Sequence, residues 1–186
     1  MTYLLRIFLC TFLIAILMPL LFVVAFVIKI ESNGPIIHWS KRVGVKNKTF
    51  FMPKFRTMLV NAPQVSTELM SKKISFVTRF GKFLRKLSID EIPQIYSILR
   101  GDMVFIGPRP ALFNQYDLVK MRAEKGIDKM TPGITGWAQI NGRDNLSNDD
   151  KIKYEYEYLM NQSFIFDIKI ILLTVVKIFV SKDISH

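Results

Sequence analysis

The sequence predicts a mainly helical α+β fold in which one domain is joined to an N-terminal membrane element. The chain's 186 residues leave little room for a second domain. It begins with an apolar run of membrane length, and 50% of its residues are hydrophobic. After that run, two short strand patterns are followed by several segments with helical periodicity.

The chain is strongly basic, with 26 Lys and Arg residues, 15 Asp and Glu residues and a formal net charge of +11. Such a charge suits nucleic acid, anionic lipid head groups or phosphorylated small molecules. Because the basic residues lie beside apolar faces rather than in a solvent-facing stripe, we expect anionic membrane lipids and not nucleic acid. The single cysteine, Cys10, leaves no disulfide framework and no cysteine-based metal site.

The first element is the apolar segment from Tyr3 to Ile28, which exceeds the roughly 20 residues that a spanning helix needs. It is too long for a signal peptide, and no cleavage site follows it. Pro19 lacks an N–H and clashes with the carbonyl of Ala15, so we predict a kink or break there. The pattern alone fits both a kinked span and a re-entrant hairpin. The cations that follow indicate a cytoplasmic C-terminal side.

A β-hairpin and a basic amphipathic helix are predicted next. The strands are Ile36 to Trp39 and Thr49 to Met52, joined through a basic turn. The helix is predicted over residues 73–87, and its Phe- and Leu-rich face suits the surface of anionic lipid. That face would consist of Ile74, Val77, Phe80, Leu84 and Leu87. The alternative is packing on a soluble core.

Four further helices complete the prediction. They cover Glu91 to Leu99, Ala111 to Lys125, Lys151 to Met160 and Phe164 to Val180. Gly126 is the expected stop of the second. The last is strongly apolar but contains charged residues, so we expect it to lie at a membrane interface or half-buried rather than to span a membrane.

Adjacent acids, Asp90 and Glu91, are the first candidate site. If Ser88 were the N-cap, Pro93 would fall at the fifth helical position, where it clashes; with Asp90 as N-cap it is third and tolerated. We therefore predict Asp90 as the N-cap, at the positive end of a helix. An ionised carboxylate there can attack phosphorus, and Glu91 could ligate Mg²⁺. The alternative is that both acids only cap the helix.

Two more segments suit phosphate binding. Arg109 lies between Pro108 and Pro110, which restrict the backbone and position a guanidinium for bidentate recognition. The glycine-rich stretch from Thr131 to Arg143 allows close backbone approach to a ligand, although it lacks P-loop spacing. A rigid surface turn and an ordinary loop are the respective alternatives. The cations of Lys54-Phe55-Arg56-Thr57-Met58 lie after the hairpin, and the two histidines are isolated, which argues against a His-based metal site.

These segments, in this order, resemble the small monotopic phosphoglycosyl transferases, bacterial sugar transferases that begin glycan assembly on undecaprenyl phosphate. The resemblance extends from about Gly34 to Lys177. It is carried by Val43-Gly44, Lys54 to Met58, Leu87 to Gln94, Gly101 to Pro110, and Pro132 to Arg143.

The resemblance implies a two-step reaction. In the first step, Asp90 would attack the β-phosphate of a UDP-sugar, release UMP and hold a covalent phosphosugar. In the second step, polyprenyl phosphate would attack that intermediate to give a polyprenyl-diphosphate sugar. Glu91 matches the partner acid, associated with Mg²⁺. The residues expected to bind substrate are Lys54, Arg85, Pro108, Arg109, Gln139 and Arg143. A homodimer and downstream glycosyltransferases are the protein partners left open, and the sugar and pathway are not readable.

The resemblance also implies topology. Residues 1–30 would form a re-entrant anchor helix broken at Pro19, and residues 31–186 a catalytic domain with interfacial helices on the cytoplasmic face of the bacterial inner membrane. The family usually has serine before this proline, whereas here Met18 precedes it. Two alternatives outside the family are a nucleotide-sugar hydrolase and a basic membrane scaffold.

Overall fold

The computed structural model describes residues 3–62, 76–142 and 145–180. Helices dominate these residues, together with two two-stranded sheets, so the predicted α+β, mainly helical class is confirmed. The described chain forms two compact units: a first unit with residues 3–40 and 53–100, and a second with residues 41–52 and 101–180. The predicted division at residue 30 stays a prediction.

The first helix, α1 (Tyr3–Glu31), is continuous through Pro19. The predicted break in the helix at Pro19 is therefore wrong, whereas the alternative of a kink there stays a prediction. A proline removes a single N–H donor, and an apolar segment offers its backbone no better pairing than the remaining helical hydrogen bonds. The segment Leu4–Glu31 contains an 18-residue window with a mean hydropathy of 3.0 and is long and apolar enough to cross a membrane, by length and composition alone. Whether it is re-entrant or spanning stays a prediction.

The core of the first unit joins α1 to the hairpin and to α2 (Arg79–Lys86). Val24 and Ile28 of α1 pack with Phe55 and Leu84. Helix α2 comes close to the preceding chain, because a Cβ added at Gly81 would lie 2.2 Å from the carbonyl oxygen of Thr57. A glycine is thus required at this contact.

Helix α2 begins six residues later than predicted. The first residues of the predicted helix, 73–75, which include Ile74, lie outside the described residues. Val77 is not helical but forms an isolated β-bridge with Met58. Thr78 has an extended backbone, and its hydroxyl accepts the N–H of Gly81 at 2.9 Å. This N-cap starts the helix at Arg79, because the residues before it pair across the chain instead.

The hairpin is confirmed and is longer than predicted. Its strands are β1 (Ile37–Val43) and β2 (Thr49–Phe55). A 3-10 turn at Val45–Asn47 joins them, with positive φ at Lys46 and Asn47. The tip of the hairpin, residues 41–52, belongs to the second unit.

Helix α3 and two short strands follow the acidic pair. Helix α3 (Ile95–Arg100) ends the first unit. In the second unit, β3 (Val104–Ile106) and β4 (Gly133–Thr135) pair in parallel, with Val104 opposite Gly133 and Ile106 opposite Thr135. This pairing brings the end of β3 beside the start of the glycine-rich stretch.

Helix α4 (Tyr116–Glu124) starts five residues after the predicted Ala111. Two contacts hold the preceding residues out of the helix: Leu112 forms a β-bridge with Arg42, and its N–H donates to Oε1 of Gln115 at 2.8 Å. The predicted stop is confirmed, since Gly126 follows the helix with φ of 72°.

Three helices end the described chain: α5 (Trp137–Ile140), α6 (Asn148–Met160) and α7 (Phe164–Val180). Both α6 and α7 are confirmed as helices, although α6 starts three residues before the predicted Lys151. The position of α7 at a membrane interface stays a prediction. The hydroxyl of Ser147 caps α6 by accepting the N–H of Asp150 at 3.1 Å. Ile170 of α7 is buried, whereas much of its remaining apolar surface is exposed. One core cluster joins α4 to α6, and another joins α5, α6 and α7.

Candidate active site

The acidic pair lies at the start of a 3-10 helix, Ile89–Gln94, which runs into α3. Ser88, with φ of 55°, is its N-cap, so the prediction of Asp90 as N-cap is wrong. Pro93 is tolerated at the fifth position because a 3-10 helix pairs residues three apart, and the carbonyl four positions back is not aimed at the proline ring. Asp90 nevertheless remains in the first turn.

Asp90 and Glu91 are both buried, with exposed fractions of 7% and 6%. Nζ of Lys54, on β2, lies 3.0 Å from Oε1 of Glu91. Their side chains are 14% and 8% exposed, so the pair is shielded from most solvent and makes a charge-assisted hydrogen bond. The structure thus brings three of the predicted site residues together in the first unit.

Arg85 on α2 belongs to the same unit. Its Nε donates to Oγ1 of Thr57 at 2.9 Å, and Thr57 is itself buried. The Lys54 to Met58 segment therefore contributes one residue to Glu91 and another to Arg85. Which ligand Lys54 and Arg85 bind stays a prediction.

Arg56 has a structural role that the sequence did not reveal. Its Nη2 donates to the carbonyl and hydroxyl oxygens of Ser32 at 2.6 and 2.9 Å, and its Nη1 to the carbonyl of Asn33 at 3.1 Å. These carbonyls follow the C-terminal end of α1, where backbone acceptors lack intrahelical donors. Arg56 thus fixes the exit from the apolar helix.

Two buried polar residues near the acids were missed. Gln94 is 1% exposed and Ser97 is 0% exposed. Within the described part of the chain, Nε2 of Gln94 and Oγ of Ser97 have no hydrogen-bond partner. The spacing of Asp90, Gln94 and Ser97, at i, i+4 and i+7, was the signal that could have found them, because it places all three on one helical face.

In the second unit, Arg109 lies three residues after the end of β3. Gly107 donates its N–H to the carbonyl of Thr135, and Gly133 donates to the carbonyl of Pro108, both at 2.9 Å. The prolines on either side of Arg109 are buried, and Arg109 is half-buried. The parallel strand pair therefore joins the two segments that were predicted separately as phosphate-binding.

Gln139 lies on α5, and its Nε2 donates to the carbonyl of Ile134 at 2.9 Å. This bond braces the glycine-rich stretch, while Oε1 of Gln139 is buried with no partner among the described residues. The backbones approach closely here, since a Cβ added at Gly136 would lie 2.1 Å from the carbonyl oxygen of Gly107. Arg143 lies outside the described residues.

Comparison with known proteins decides the family. A family model described as bacterial sugar transferase matches residues 1–181. This chain belongs to the bacterial sugar transferase family. The resemblance predicted from the motif order is confirmed, as is the prediction that the chain is a sugar transferase enzyme.

Three curated bacterial proteins are similar to the chain, with sequence identities of 37% or 38%. It is 38% identical to the uncharacterized sugar transferase EpsL of Bacillus subtilis, over 90% of this chain and 81% of that protein. It is 37% identical to the UDP-glucose:undecaprenyl-phosphate glucose-1-phosphate transferase of Escherichia coli, over 94% of this chain and 39% of that protein. It is 38% identical to the UDP-N-acetylgalactosamine-undecaprenyl-phosphate N-acetylgalactosaminephosphotransferase of Aeromonas hydrophila, over 84% of this chain and 38% of that protein. The chain thus spans about two-fifths of the last two relatives.

The acids of this bacterial sugar transferase fit a Mg²⁺ ion that takes most of its ligands from phosphate and water. Mg²⁺ typically takes only one or two carboxylates from the protein at such a site. Asp90 and Glu91 supply two adjacent buried carboxylates. Across residues 3–62, 76–142 and 145–180, no group of three or more His, Cys, Asp or Glu side chains could form an all-protein cage. Binding of Mg²⁺ by Glu91 stays a prediction.

Proposed function

We propose that this bacterial sugar transferase transfers a sugar 1-phosphate from a UDP-sugar to polyprenyl phosphate through a covalent intermediate on Asp90. The observation that carries the proposal is the buried Asp90–Glu91 pair, in which Lys54 holds Glu91 by a hydrogen bond. Relatives named as undecaprenyl-phosphate sugar phosphotransferases support the same reaction class.

In the first step, a carboxylate oxygen of Asp90 attacks the β-phosphorus of the UDP-sugar. A new O–P bond forms, and the bond from the β-phosphorus to the oxygen that bridges to the α-phosphate breaks. UMP leaves with that oxygen and its electron pair. The product is a sugar phosphate joined to Asp90 as an acyl phosphate.

In the second step, a terminal phosphate oxygen of polyprenyl phosphate attacks the same phosphorus. The bond to Asp90 breaks, and the carboxylate leaves with the electron pair. The lipid product is a polyprenyl diphosphate sugar, and the enzyme returns to its starting state. It would initiate assembly of a capsule, O-antigen, exopolysaccharide or glycoprotein glycan.

The cationic side chains have distinct parts in this proposal. Lys54 orients Glu91, whereas Arg85 and Arg109 offer guanidinium groups suited to phosphate oxygens. Glu91, together with phosphate oxygens, would hold Mg²⁺, which would supply Lewis-acid stabilisation of phosphate charge. Pro108 and Gln139 shape the backbone near Arg109, and Arg143 is proposed as a further phosphate contact.

We place the enzyme at the cytoplasmic face of the bacterial inner membrane. The apolar helix α1 supports membrane association, and α7 exposes a broad apolar surface that suits an anionic lipid interface. Helix α7 is tied to β4 by a 2.7 Å hydrogen bond between the hydroxyls of Thr135 and Thr174. Exposed apolar residues of α7 include Phe164, Ile165, Ile168, Ile171, Leu172, Val175 and Val176.

Overall similarity does not select the sugar. The relative named for glucose and the relative named for N-acetylgalactosamine are 37% and 38% identical to the chain. The proposal is therefore a UDP-sugar as a class, and a panel of UDP-sugars is the appropriate assay.

The Asp90→Asn variant tests the proposal. We expect the wild-type protein, in membranes with Mg²⁺ and polyprenyl phosphate, to release UMP from at least one UDP-sugar, and Asp90→Asn to release none. Without lipid acceptor, the wild type should gain the mass of one sugar phosphate. Asp117→Asn, an exposed acid on α4, is the matched control and should retain activity.

Substantial turnover by Asp90→Asn would overturn the nucleophile assignment. UMP release over many turnovers without polyprenyl phosphate would instead identify a nucleotide-sugar hydrolase. The protein would be a membrane scaffold if the wild type releases no UMP and a variant with both Asp90 and Glu91 replaced still recruits partners to anionic lipid.

A further inference from the structure

The turn that carries Arg109 is held through its carbonyl groups. Four consecutive carbonyls, from Pro108 to Ala111, each accept a hydrogen bond from a different residue of the second unit. The carbonyl of Pro108 accepts the N–H of Gly133 and that of Ala111 accepts the N–H of Val43, both at 2.9 Å. The carbonyl of Arg109 accepts from Nη2 of Arg122 at 2.8 Å, and that of Pro110 from Nη1 of Arg42 at 3.2 Å.

The donor to the central carbonyl is itself fixed. Arg122 on α4 donates from Nε to Oε2 of Glu155 at 2.8 Å and from Nη2 to Oε1 at 2.5 Å. Nη2 has two hydrogens, so one is directed to Glu155 and the other to the carbonyl of Arg109. The planar guanidinium sets the angle between the two directions, which a flexible ammonium group does not do.

This ion pair is nearly dry, with side chains 10% and 3% exposed. Buried ion pairs can often be replaced by apolar side chains of similar volume with no loss of stability, because desolvation offsets much of their attraction. Stability alone therefore does not explain the pair. What an apolar replacement cannot supply is the hydrogen bond to the carbonyl of Arg109.

We propose that Arg122 and Glu155 are positioning residues that fix the backbone of Arg109, so that its guanidinium meets the diphosphate of the nucleotide sugar at a set place. The inference rests on the proposed function, because the ligand of Arg109 is part of that function. Arg122 and Glu155 act through the turn and do not touch the substrate. Pro108 and Pro110 have no backbone N–H, so the hydrogen bonds that hold these two residues through their backbone are made by their carbonyl groups.

The test compares wild-type protein with the double variant Arg122→Met/Glu155→Leu, which removes both charges and keeps an apolar fill. We expect an unchanged thermal midpoint, faster amide hydrogen exchange in a peptide covering residues 107–113, and a KM for the UDP-sugar raised roughly tenfold or more. Ile152→Val is the matched control: it lies on the same helix as Glu155 and in the core cluster that contains Ala111, without entering the hydrogen bonds. It should change neither the exchange of that peptide nor KM.

A second comparison separates positioning from a general structural effect. If Arg122 and Glu155 act only through Arg109, adding their double substitution to Arg109→Ala should raise KM no further than Arg109→Ala alone. Additive increases would overturn the proposal, as would unchanged exchange in residues 107–113. If the double variant fails to fold, Arg122→Lys, which keeps the charge but not the fork, replaces it in both comparisons.

Failure of the proposed function gives a different result. Wild-type protein that releases UMP from no UDP-sugar would refute the reaction. The exchange comparison would still decide whether the ion pair fixes the turn.

Discussion

Nζ of Lys54 and Oε1 of Glu91 are 3.0 Å apart, and they join β2 to the 3-10 helix that carries the acidic pair. The contact orients the second acid of the pair while the first, Asp90, is the proposed nucleophile. Since both side chains are largely buried, loss of either partner would leave a charge in a poorly solvated place.

We expect Lys54→Met to destabilise the protein by about 3 kcal/mol, because the carboxylate of Glu91 would remain buried without its cation. Activity should also fall at saturating UDP-sugar, since Glu91 would lose its orientation. Chemical denaturation in detergent and UMP release measure the two effects. Lys48→Met, an exposed lysine of the hairpin turn, is the control. A fully stable and active Lys54→Met would contradict the prediction.

Replacement of Arg56 should affect stability and not substrate affinity. Arg56→Lys would lose the paired bonds to the carbonyls of Ser32 and Asn33, and we expect a loss of about 2 kcal/mol. KM for the UDP-sugar should stay unchanged in the folded fraction. A raised KM with an unaltered unfolding transition would show that Arg56 binds substrate instead.

Tyr158 should lose its phenolic proton at a higher pH than an ordinary tyrosine. Burial raises its pKa to about 12, and its hydrogen bond to Asp167 adds to the rise, while that from Gln162 lowers it. Because the folded pKa lies above the ordinary value of about 10, this tyrosine favours folding below pH 10 and loses that contribution as pH rises towards 12. The phenolate absorbance of wild type minus that of Tyr158→Phe should show a step near pH 12. A step near pH 10 would disprove it.

The anchor topology is testable because the chain has one cysteine, Cys10. In a Cys10→Ser background, we expect Thr2→Cys and Lys48→Cys both to resist an impermeant thiol reagent in intact spheroplasts and to react after permeabilisation. This result would place both ends of α1 on the cytoplasmic side. Labelling of Thr2→Cys in intact spheroplasts would instead identify a spanning helix.

Local signals predicted the elements that depend on local contacts. Helix α6 has a serine cap and α7 a long apolar run, and both were found at or close to their observed bounds. The starts of α2 and α4 were wrong because β-bridges, Met58 with Val77 and Arg42 with Leu112, compete with the helix. Such pairings between distant residues leave no periodic signal in the sequence.

The site was predicted unevenly for the same reason. Motif order identified Asp90, Glu91, Lys54 and Arg109 as candidates, and the parallel pairing of β3 with β4 brought two predicted segments together. The register of Asp90 was wrong because the sequence rule for proline assumes an α-helix, whereas this turn is 3-10. The ion pair of Arg122 and Glu155 joins residues 33 positions apart, and nothing near either residue indicates the other.

The four carbonyl bonds of the Arg109 turn have a consequence for synthesis on the ribosome. Arg42 emerges 68 residues before Pro110, and Glu155 follows Arg122 by a further 33 residues. The hairpin tip, with Arg42, can therefore form its bonds to the Arg109 turn only after that turn has been synthesised. The bond from Arg122 to the carbonyl of Arg109 is fixed only after α6, with Glu155, has been synthesised. We expect nascent chains that stop before α6 to leave the donor to the carbonyl of Arg109 unfixed, so that the segment proposed to bind phosphate matures after the proposed nucleophile, Asp90, has been made.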